Sequence, residues 1–412
     1  MKILWVKPGK LLPPDSGGKL RTYNILRHLS ATHSVTYLSY YGGARDANYE
    51  REIRVLFPGA IPECTGIPEL TGLRRMLDYL RRLPRRTPDA VGRFESAEVK
   101  QIVAESVARR EFDVAICDFL ASTPNFPRSL GIPTILFQHN VESVLWQRRA
   151  QFEAKFVDRV IAKIEYAKMA NYEAEQVRRF HHVFAVSEAD RETMTAMVEP
   201  SRISVIPTGV DLQEFRYDPQ LKPAGPFVVF VGSMDWEPNI NGVEYFCSEI
   251  WPQVLSGFPE ARFQVVGRNP HPRVQRLACD SIAITGTVPS VTKYIRDAAV
   301  LVVPLRIGSG TRIKIYEGMA MGKATVSTRL GAEGLDVHHS HDILLADHPQ
   351  QLAGWIVALL QNETLRQKIE AAAARTASQF DWSVVAERFV GEIQRVIGAS
   401  PLGEQRSPVV MV

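Results

Sequence analysis

The densest chemistry in this chain lies at PLRIGSGTRIKIYEGMAMGKATVST, residues 304–328. A Gly-rich loop (Gly308, Ser309, Gly310, Thr311) leaves a strand that ends at Pro304, and a helix carrying Arg312, Lys314 and Glu317 follows. Backbone N–H groups at a helix start hold partial positive charge, so such a loop can cradle a phosphate. Arg312 and Lys314, within the first turn, would neutralise a diphosphate. Glu317, about one turn below Lys314, can accept both hydroxyls of a ribose. The competing reading is a set of solvated charges. Two cations beside the positive end of a helix dipole are locally unfavourable, which weighs toward an anionic ligand.

Other candidates are scattered. In PPDSGGKLRTYNILRHLS (13–30), Gly17 and Gly18 open a helix. Paired glycines allow close approach of backbone to a ligand, and equally make a plain turn. His139 ends the apolar run TILFQH (134–139) and is followed by Asn140 and Glu142. A histidine at a strand end sits where α/β sheets bind ligands. Glu142 reads equally as a ligand-side group or as an N-cap partner. Asn239 and Asn241 read as ligand-facing or as caps of the next helix, and Ser187 with Asp190 reads as a helix N-cap. The four cysteines (Cys64, Cys117, Cys247, Cys279) form no CxxC pair, which argues against a zinc knuckle or disulfide scaffold and for a reducing compartment. No Asp-x-Asp motif stands out, and no metal site is expected.

The elements that must position these residues follow a repeated rhythm. KILWV (2–6), SVTYLSYY (34–41), VAIC (114–117), TILFQH (134–139) and VFAVS (183–187) read as buried strands, with helices between them. FVVFVG (227–232), RFQVVG (262–267), IAITG (282–286), AVLVVP (299–304) and ATVST (324–328) repeat the pattern. Continuous β-branched runs separated by helices indicate parallel sheets covered on both faces. The expectation is α/β, with two doubly wound domains at 1–205 and 227–398. A Pro- and Gly-rich linker lies at 206–226 and a poorly ordered tail at 399–412, and the last helix (381–398) completes the second domain or crosses back to the first. Residues 42–95 lose the rhythm.

The length of 412 residues fits two or three domains, and the net charge of +4 is too balanced for a nucleic-acid packaging protein. The charge is uneven: residues 1–205 carry +6 and residues 206–412 carry −2. The six arginines Arg74, Arg75, Arg81, Arg82, Arg85 and Arg86 equal that whole front-half excess. They surround a stripe of Leu73, Met76, Leu77 and Leu80, within 71–88. This reads either as an amphipathic helix for an anionic membrane surface or as a helix packed on its own domain with a solvated basic face. Without interleaved aromatic residues, nucleic acid is not expected as a partner. No window approaches the roughly 20 apolar residues that span a bilayer, and the start lacks the apolar centre of a signal peptide. The expected location is cytoplasmic, with the inner face of the plasma membrane as a candidate peripheral site.

The 304–328 run resembles the nucleotide-sugar site of the family-4 retaining glycosyltransferases, which have the two-domain GT-B fold. Their pattern is Glu, seven residues, Glu, then a small residue and Met-Ala. Glu317-Gly318-Met319-Ala320 is similar to its second half, which in the family binds the ribose. Eight residues before Glu317 stands Ser309 rather than the first Glu, as in a subgroup with G-x-G-T-R-x-K here. The resemblance extends to Gly17-Gly18 near the donor phosphates and to VIPTGVD (205–211), with Thr208 facing the cleft. It includes FVGSMDWEPN (230–239) with Gly232, and GTVPSV (286–291) with Val288, where backbone reads the base. It also covers His139, which in the family contacts the donor sugar or reaction centre. It implies two Rossmann-like domains facing each other across a cleft. The implied reaction is transfer of a sugar from a UDP-, GDP- or dTDP-sugar to an acceptor hydroxyl, with retention and without a metal or other cofactor. His139, Arg312 and Lys314 would be catalytic. Gly17, Gly18, Thr208, Gly232, Val288, Gly308, Ser309, Gly310, Thr311 and Glu317 would bind the donor, and Asn140 and Glu142 would lie on the acceptor side. The basic helix favours a lipid-linked or cell-envelope glycan acceptor. A GT-B sugar-nucleotide epimerase and a non-catalytic nucleotide-sugar-binding scaffold are the alternatives.

Overall fold

The structure is a computed structural model that describes residues 1–68, 70–109, 112–153, 155–308 and 310–399. It divides into two compact units: Met1–Pro207 together with the chain from Val385 onward, and Thr208–Val384.

The first unit is built on β1 (Lys2–Pro8), β2 (Ser34–Tyr41), β3 (Ala60–Cys64), β4 (Val114–Asp118), β5 (Thr134–Phe137), β6 (His182–Ala185) and β7 (Ile203–Val205). All pair in parallel, in the order β3-β2-β1-β4-β5-β6-β7. The central strand β1 is buried from Ile3 to its end, as expected of a sheet covered by helices on both faces. The order reverses between β1 and β4, and ligands of such sheets bind beyond the strand carboxyl ends at that point. Part of one cover comes from the C-terminal helix. Phe389 stacks on Trp5 with ring centroids 5.4 Å apart and meets Phe137 and Phe184 edge-on.

The second unit carries β8 (Phe227–Val231), β9 (Arg262–Val266), β10 (Ile282–Gly286), β11 (Val300–Val303), β12 (Ala324–Ser327) and β13 (Leu344–Leu345). These are again parallel, in the order β10-β9-β8-β11-β12-β13, with a reversal between β8 and β11. The Gly-rich loop leaves β11, so it stands at that switch point.

Several elements differ from the sequence reading. Residues 42–95 regain regular structure in the helix Ala47–Leu56 and the strand β3. β3 reads AIPEC and runs along the sheet edge, where proline is tolerated because no inner ladder bond is lost. β7 is only three residues long and gave no apolar run to read. The segment read as a linker is packed: Val210 and Phe215 are buried in the second core, and Val210 exchanges backbone bonds with Phe380 and Trp382. Between β5 and β6 the chain forms two helices, Glu142–Phe152 and Phe156–Arg179. The predicted tail from residue 400 lies outside the described residues, whereas the helix Trp382–Gly398 runs through to Gly398.

The basic amphipathic helix forms over Gly72–Arg82 and buries none of its residues. Its apolar stripe turns outward: Leu73 is 65% exposed, and Met76, Leu77 and Leu80 are each more than half exposed. Among the described residues nothing buries this stripe against its own domain. Of the arginines, Arg75 turns inward to Asp89 and Arg82 pairs with Asp78 on the same helix, while Arg74, Arg81, Arg85 and Arg86 are exposed.

Candidate functional site

The predicted residues fall into two groups, one in each unit. In the second unit, the chain leaves β11 through Gly308 and Gly310, both at positive φ (104° and 81°), and enters the helix Ile313–Ala320 with Arg312 at its N-cap. Such backbone is accessible to glycine at no steric penalty. Thr311 meets Thr208 with their hydroxyls 2.8 Å apart, joining the loop to the VIPTGVD segment. Ser309, where the family pattern has its first Glu, lies outside the described residues.

Lys314 reaches from the first turn of this helix to the loop after β8. Its Nζ donates to Asn239 Oδ1 at 3.1 Å and lies 4.3 Å from the Phe230 ring centre. Asn239 is buried, and its Nδ2 donates to the Ser233 carbonyl at 2.8 Å. It is therefore neither a helix cap nor a free ligand group but the clamp that fixes Lys314 against the loop. Gly232 leaves room for this clamp, because a Cβ would stand 2.7 Å from both Lys314 Nζ and Asn239 Nδ2 and displace them. Asn241 lies 3.4 Å from an Arg306 guanidinium nitrogen.

This group is electrostatically unbalanced. Burial, together with the neighbouring Arg312 charge, pulls Lys314 down to about 7, against the opposing pull of Glu317. Glu317 is pushed up to about 7 by burial, with Lys314 opposing and Glu214 adding to the rise. Arg312 is itself buried, and its guanidinium lies 5.6 Å from the Trp236 ring centre. Two like charges held together in a low-dielectric site are favourable only when an anion joins them. Val288, half-buried, follows β10 at the carboxyl edge of the same sheet.

In the first unit, His139 is buried and both of its ring nitrogens are engaged. Arg21 NH1 stands 2.8 Å from Nδ1, and Asp118 Oδ1 stands 2.6 Å from Nε2. A guanidinium only donates, so Nδ1 accepts and the proton resides on Nε2, donated to Asp118. Burial lowers His139 to about 4, against the attraction of Asp118. The ring is therefore a neutral imidazole of one tautomer. Asp118 also accepts from Trp5 Nε1 at 3.0 Å and Thr22 Oγ1 at 2.7 Å. Burial works against its ionisation, but His139, Lys7 and Thr22 together hold its carboxyl below the ordinary range. Phe119, at φ 69°, stacks on His139 with centroids 3.9 Å apart. Gly18 lies against the Cζ end of the Phe119 ring, where a Cβ would come within 2.4 Å of Cζ. The helix does begin at Gly17, after Ser16, but the structural need at Gly18 is for ring packing.

Glu142 does not cap its helix. Its backbone N–H and that of Ser143 are bonded by the Glu173 carboxylate, at 2.8 and 3.0 Å. The Glu142 side chain instead lines a pocket of about 270 Å³ with Lys7, Phe119 and Arg93. Burial and the nearby Glu173 raise it to about 7, while the Asn140 side chain pulls the other way. Ser187 caps the helix Glu188–Met194, accepting from the Asp190 N–H, as the sequence indicates.

Sequence reasoning missed Arg21, Asp118, Phe119 and Arg93. Asp118 had a usable signal, since it directly follows the buried run VAIC at a strand end. Arg21 and Phe119 had none, because their partners lie far away in the chain.

Two family descriptions match the chain: "Glycosyltransferase Family 4" over residues 16–214 and "Glycosyl transferases group 1" over residues 225–362. The chain belongs to the family-4, group 1 glycosyltransferases. Among curated proteins it is 28% identical to the phosphatidyl-myo-inositol mannosyltransferase of Mycolicibacterium smegmatis, over 204 residues, 47% of this chain and 52% of that protein. The chain thus spans about half the length of the curated relatives it matches first. Among solved structures, the sucrose-phosphate synthase of Thermosynechococcus elongatus aligns with a TM-score of 0.69 at 15% identity, covering 97% of this chain and all of that one. HepE of Anabaena, solved in complex with UDP, aligns with a TM-score of 0.65 at 14% identity, over 96% of this chain and all of that one. At these identities the likeness establishes the fold, a two-domain α/β GT-B architecture. No helix among the described residues is long and apolar enough to cross a membrane.

Proposed function

We propose that this protein transfers a sugar from a nucleoside diphosphate to an acceptor hydroxyl, with retention of anomeric configuration. The observation that carries the reading is the cation pair Arg312 and Lys314 at the Gly-rich loop, with Lys314 clamped by Asn239 over Gly232 and Glu317 one turn below. As the donor bond breaks, negative charge grows on the departing diphosphate. Preorganised cations and helix N–H groups aimed at that charge lower the barrier without reorganising. Glu317 is placed to accept from the ribose hydroxyls, and Thr208, Thr311 and Val288 belong to the same donor surface. Charge neutralisation is assigned to the two side chains rather than to a divalent ion.

His139, in this reading, contacts the reaction centre without transferring a proton. Moving a proton at either nitrogen would break its bond to Arg21 or Asp118, so its ring and Phe119 form a fixed wall. The acceptor proton passes to the leaving phosphate oxygen. Glu142, in the pocket of the first unit, accepts from the acceptor hydroxyls, with Asn140 beside it.

The acceptor is lipid-linked or part of an envelope glycan. Supporting this, the helix Gly72–Arg82 exposes its apolar stripe, and the start of the helix Phe156–Arg179 exposes Phe156, Val157 and Val160. Apolar side chains ringed by arginine and lysine suit a membrane surface with anionic headgroups. The relative from Mycolicibacterium smegmatis is named for transfer to a phospholipid. The test is incubation with UDP-, GDP- and dTDP-sugars, with and without a lipid extract, following nucleotide release and the anomeric configuration of the product. Acceptor-dependent release with retention is expected. An isomerised donor would show an epimerase, and nucleotide-sugar binding without turnover would show a scaffold.

A further inference from the structure

Resting on the transferase reading and deepening it, we propose that the first unit holds a phosphate subsite centred on Arg93, which binds a phosphate ester carried by the acceptor. Two pockets share Arg93 and Phe94 in their walls. One is the pocket of about 270 Å³ that contains Glu142. The other, about 520 Å³, is lined by Tyr40, Tyr41, Lys10 and the inward face of the arginine-rich helix at Arg75 and Arg82. Both open where β1 and β2 end, beside the reversal of strand order, the place where sheets of this kind hold ligands.

The cations of these walls are already occupied, with one exception. Lys10 pairs with Asp46 at 2.8 Å, Arg75 with Asp89, and Arg82 with Asp78 at 2.9 Å. Lys7 Nζ donates to the Pro8 carbonyl at 3.0 Å. Arg93 lies with its guanidinium 4.8 Å from the Phe94 ring centre and, among the described residues, has no carboxylate within ion-pair distance. Stacking on an aromatic face fixes a guanidinium plane and leaves its N–H fork free to meet an anion. A tetrahedral phosphate with two oxygens on that fork is the matching partner. Such a phosphate in the larger pocket leaves the smaller one, with Glu142, for the acceptor hydroxyls. The helix that walls the larger pocket is also the one that exposes Leu73, Leu77 and Leu80, so a phosphate at a bilayer surface can enter from there.

The experiment uses the full chain. UDP, GDP and dTDP binding are measured first by calorimetry, and the donor site is then saturated with whichever binds. sn-Glycerol 3-phosphate and dihexanoyl-phosphatidylglycerol, below its micellar concentration, are then titrated separately. Saturable binding of at least one is expected. Arg93→Gln should weaken it by about ten-fold or more, the usual effect of losing a charged hydrogen bond, and Arg93→Lys by less. Binding of the lipid alone assigns the phosphate to a headgroup, and equal binding of both assigns it to a free ester. Arg128→Gln, an exposed arginine outside these walls and outside the arginine-rich helix, should leave the affinities unchanged. Absence of any nucleotide binding would overturn the transferase reading itself. Nucleotide binding with neither ester bound overturns the subsite alone. So does an Arg93→Gln affinity equal to the parent's, or an equal loss in Arg128→Gln.

Discussion

Lys314→Met should make the protein more stable and at the same time remove its grip on nucleotides. The reasoning starts from the fall of Lys314 from 10.5 to about 7, caused by burial and by Arg312. The unfolded chain keeps an ordinary lysine, so the charged side chain opposes folding. At about 1.4 kcal/mol per pKa unit the upper limit of this penalty is about 5 kcal/mol. Methionine fills nearly the same volume without the charge. It also loses the bond to Asn239 Oδ1 and leaves Glu317 without its cation, so a net gain of about 1–2 kcal/mol is expected. For a domain of this size that is a rise in Tm of about 2–8 °C.

The sign with pH follows from linkage. Between pH 7 and 10.5 the unfolded state binds the extra proton, so the parent's stability rises with pH there. The penalty is fully present below pH 7 and vanishes as pH rises to 10.5. The advantage of Lys314→Met, read by thermal unfolding, should therefore be largest at pH 6–7 and shrink by pH 9. Nucleoside diphosphate affinity, read by calorimetry, should fall by about 10- to 100-fold, because one charged contact to the diphosphate is gone. Added nucleotide should then raise the parent's Tm and hardly move the variant's. A variant that is less stable than the parent at pH 7, or that binds nucleotide equally well, refutes the argument.

Four further outcomes follow from the same geometry. Nucleotide affinity of the parent should weaken as pH rises above about 7, by up to ten-fold per unit, as Lys314 loses its proton; calorimetry across pH 6–9 reads it. Gly18→Ala forces a methyl into the Phe119 ring and should cost about 1–3 kcal/mol in denaturant unfolding, with loss of transfer. Arg21→Met removes the donor to His139 Nδ1 and a charge that holds the ring neutral, so the His139 titration followed by NMR should move up from about 4. Leu73→Glu with Leu77→Glu removes two exposed apolar anchors and should abolish salt-sensitive flotation with phosphatidylglycerol vesicles while leaving nucleotide binding intact.

How much of this was legible depended on how locally each feature is encoded. The inner strands were, because a strand buried on both faces must be a continuous apolar run, as in KILWV and FVVFVG. The edge strand AIPEC and the three-residue β7 were not, since neither needs such a run. The candidate group at the Gly-rich loop was legible as a cluster because Gly308 through Glu317 are neighbours in the chain, and one loop and one helix suffice to bring them together. The His139 network was not: Arg21 lies 118 residues from its partner and Asp118 lies 21 away, and no spacing rule links them. The stripe in the arginine-rich helix was legible as amphipathic, but periodicity is the same whether such a stripe faces a core or faces out. The fold decides it: Arg75 is drawn inward to Asp89, and the stripe is left facing out.

The two units handle buried charge in opposite ways, and this difference assigns their parts. Around His139 the central groups are engaged: Asp118 accepts three bonds, and the imidazole is neutral and held at both nitrogens. Such a network holds its shape without a ligand and makes a rigid wall, which suits positioning an acceptor. Around Lys314, two cations stand together with a carboxylate that burial pushes toward its neutral form. That arrangement is unfavourable until a dianion arrives, so part of the nucleotide's binding energy relieves strain already present in the fold. It also discriminates against the neutral sugar alone, which brings no charge to relieve it. In the proposed reaction, a site built this way selects the diphosphate first and then stabilises the charge that grows on it as the sugar departs.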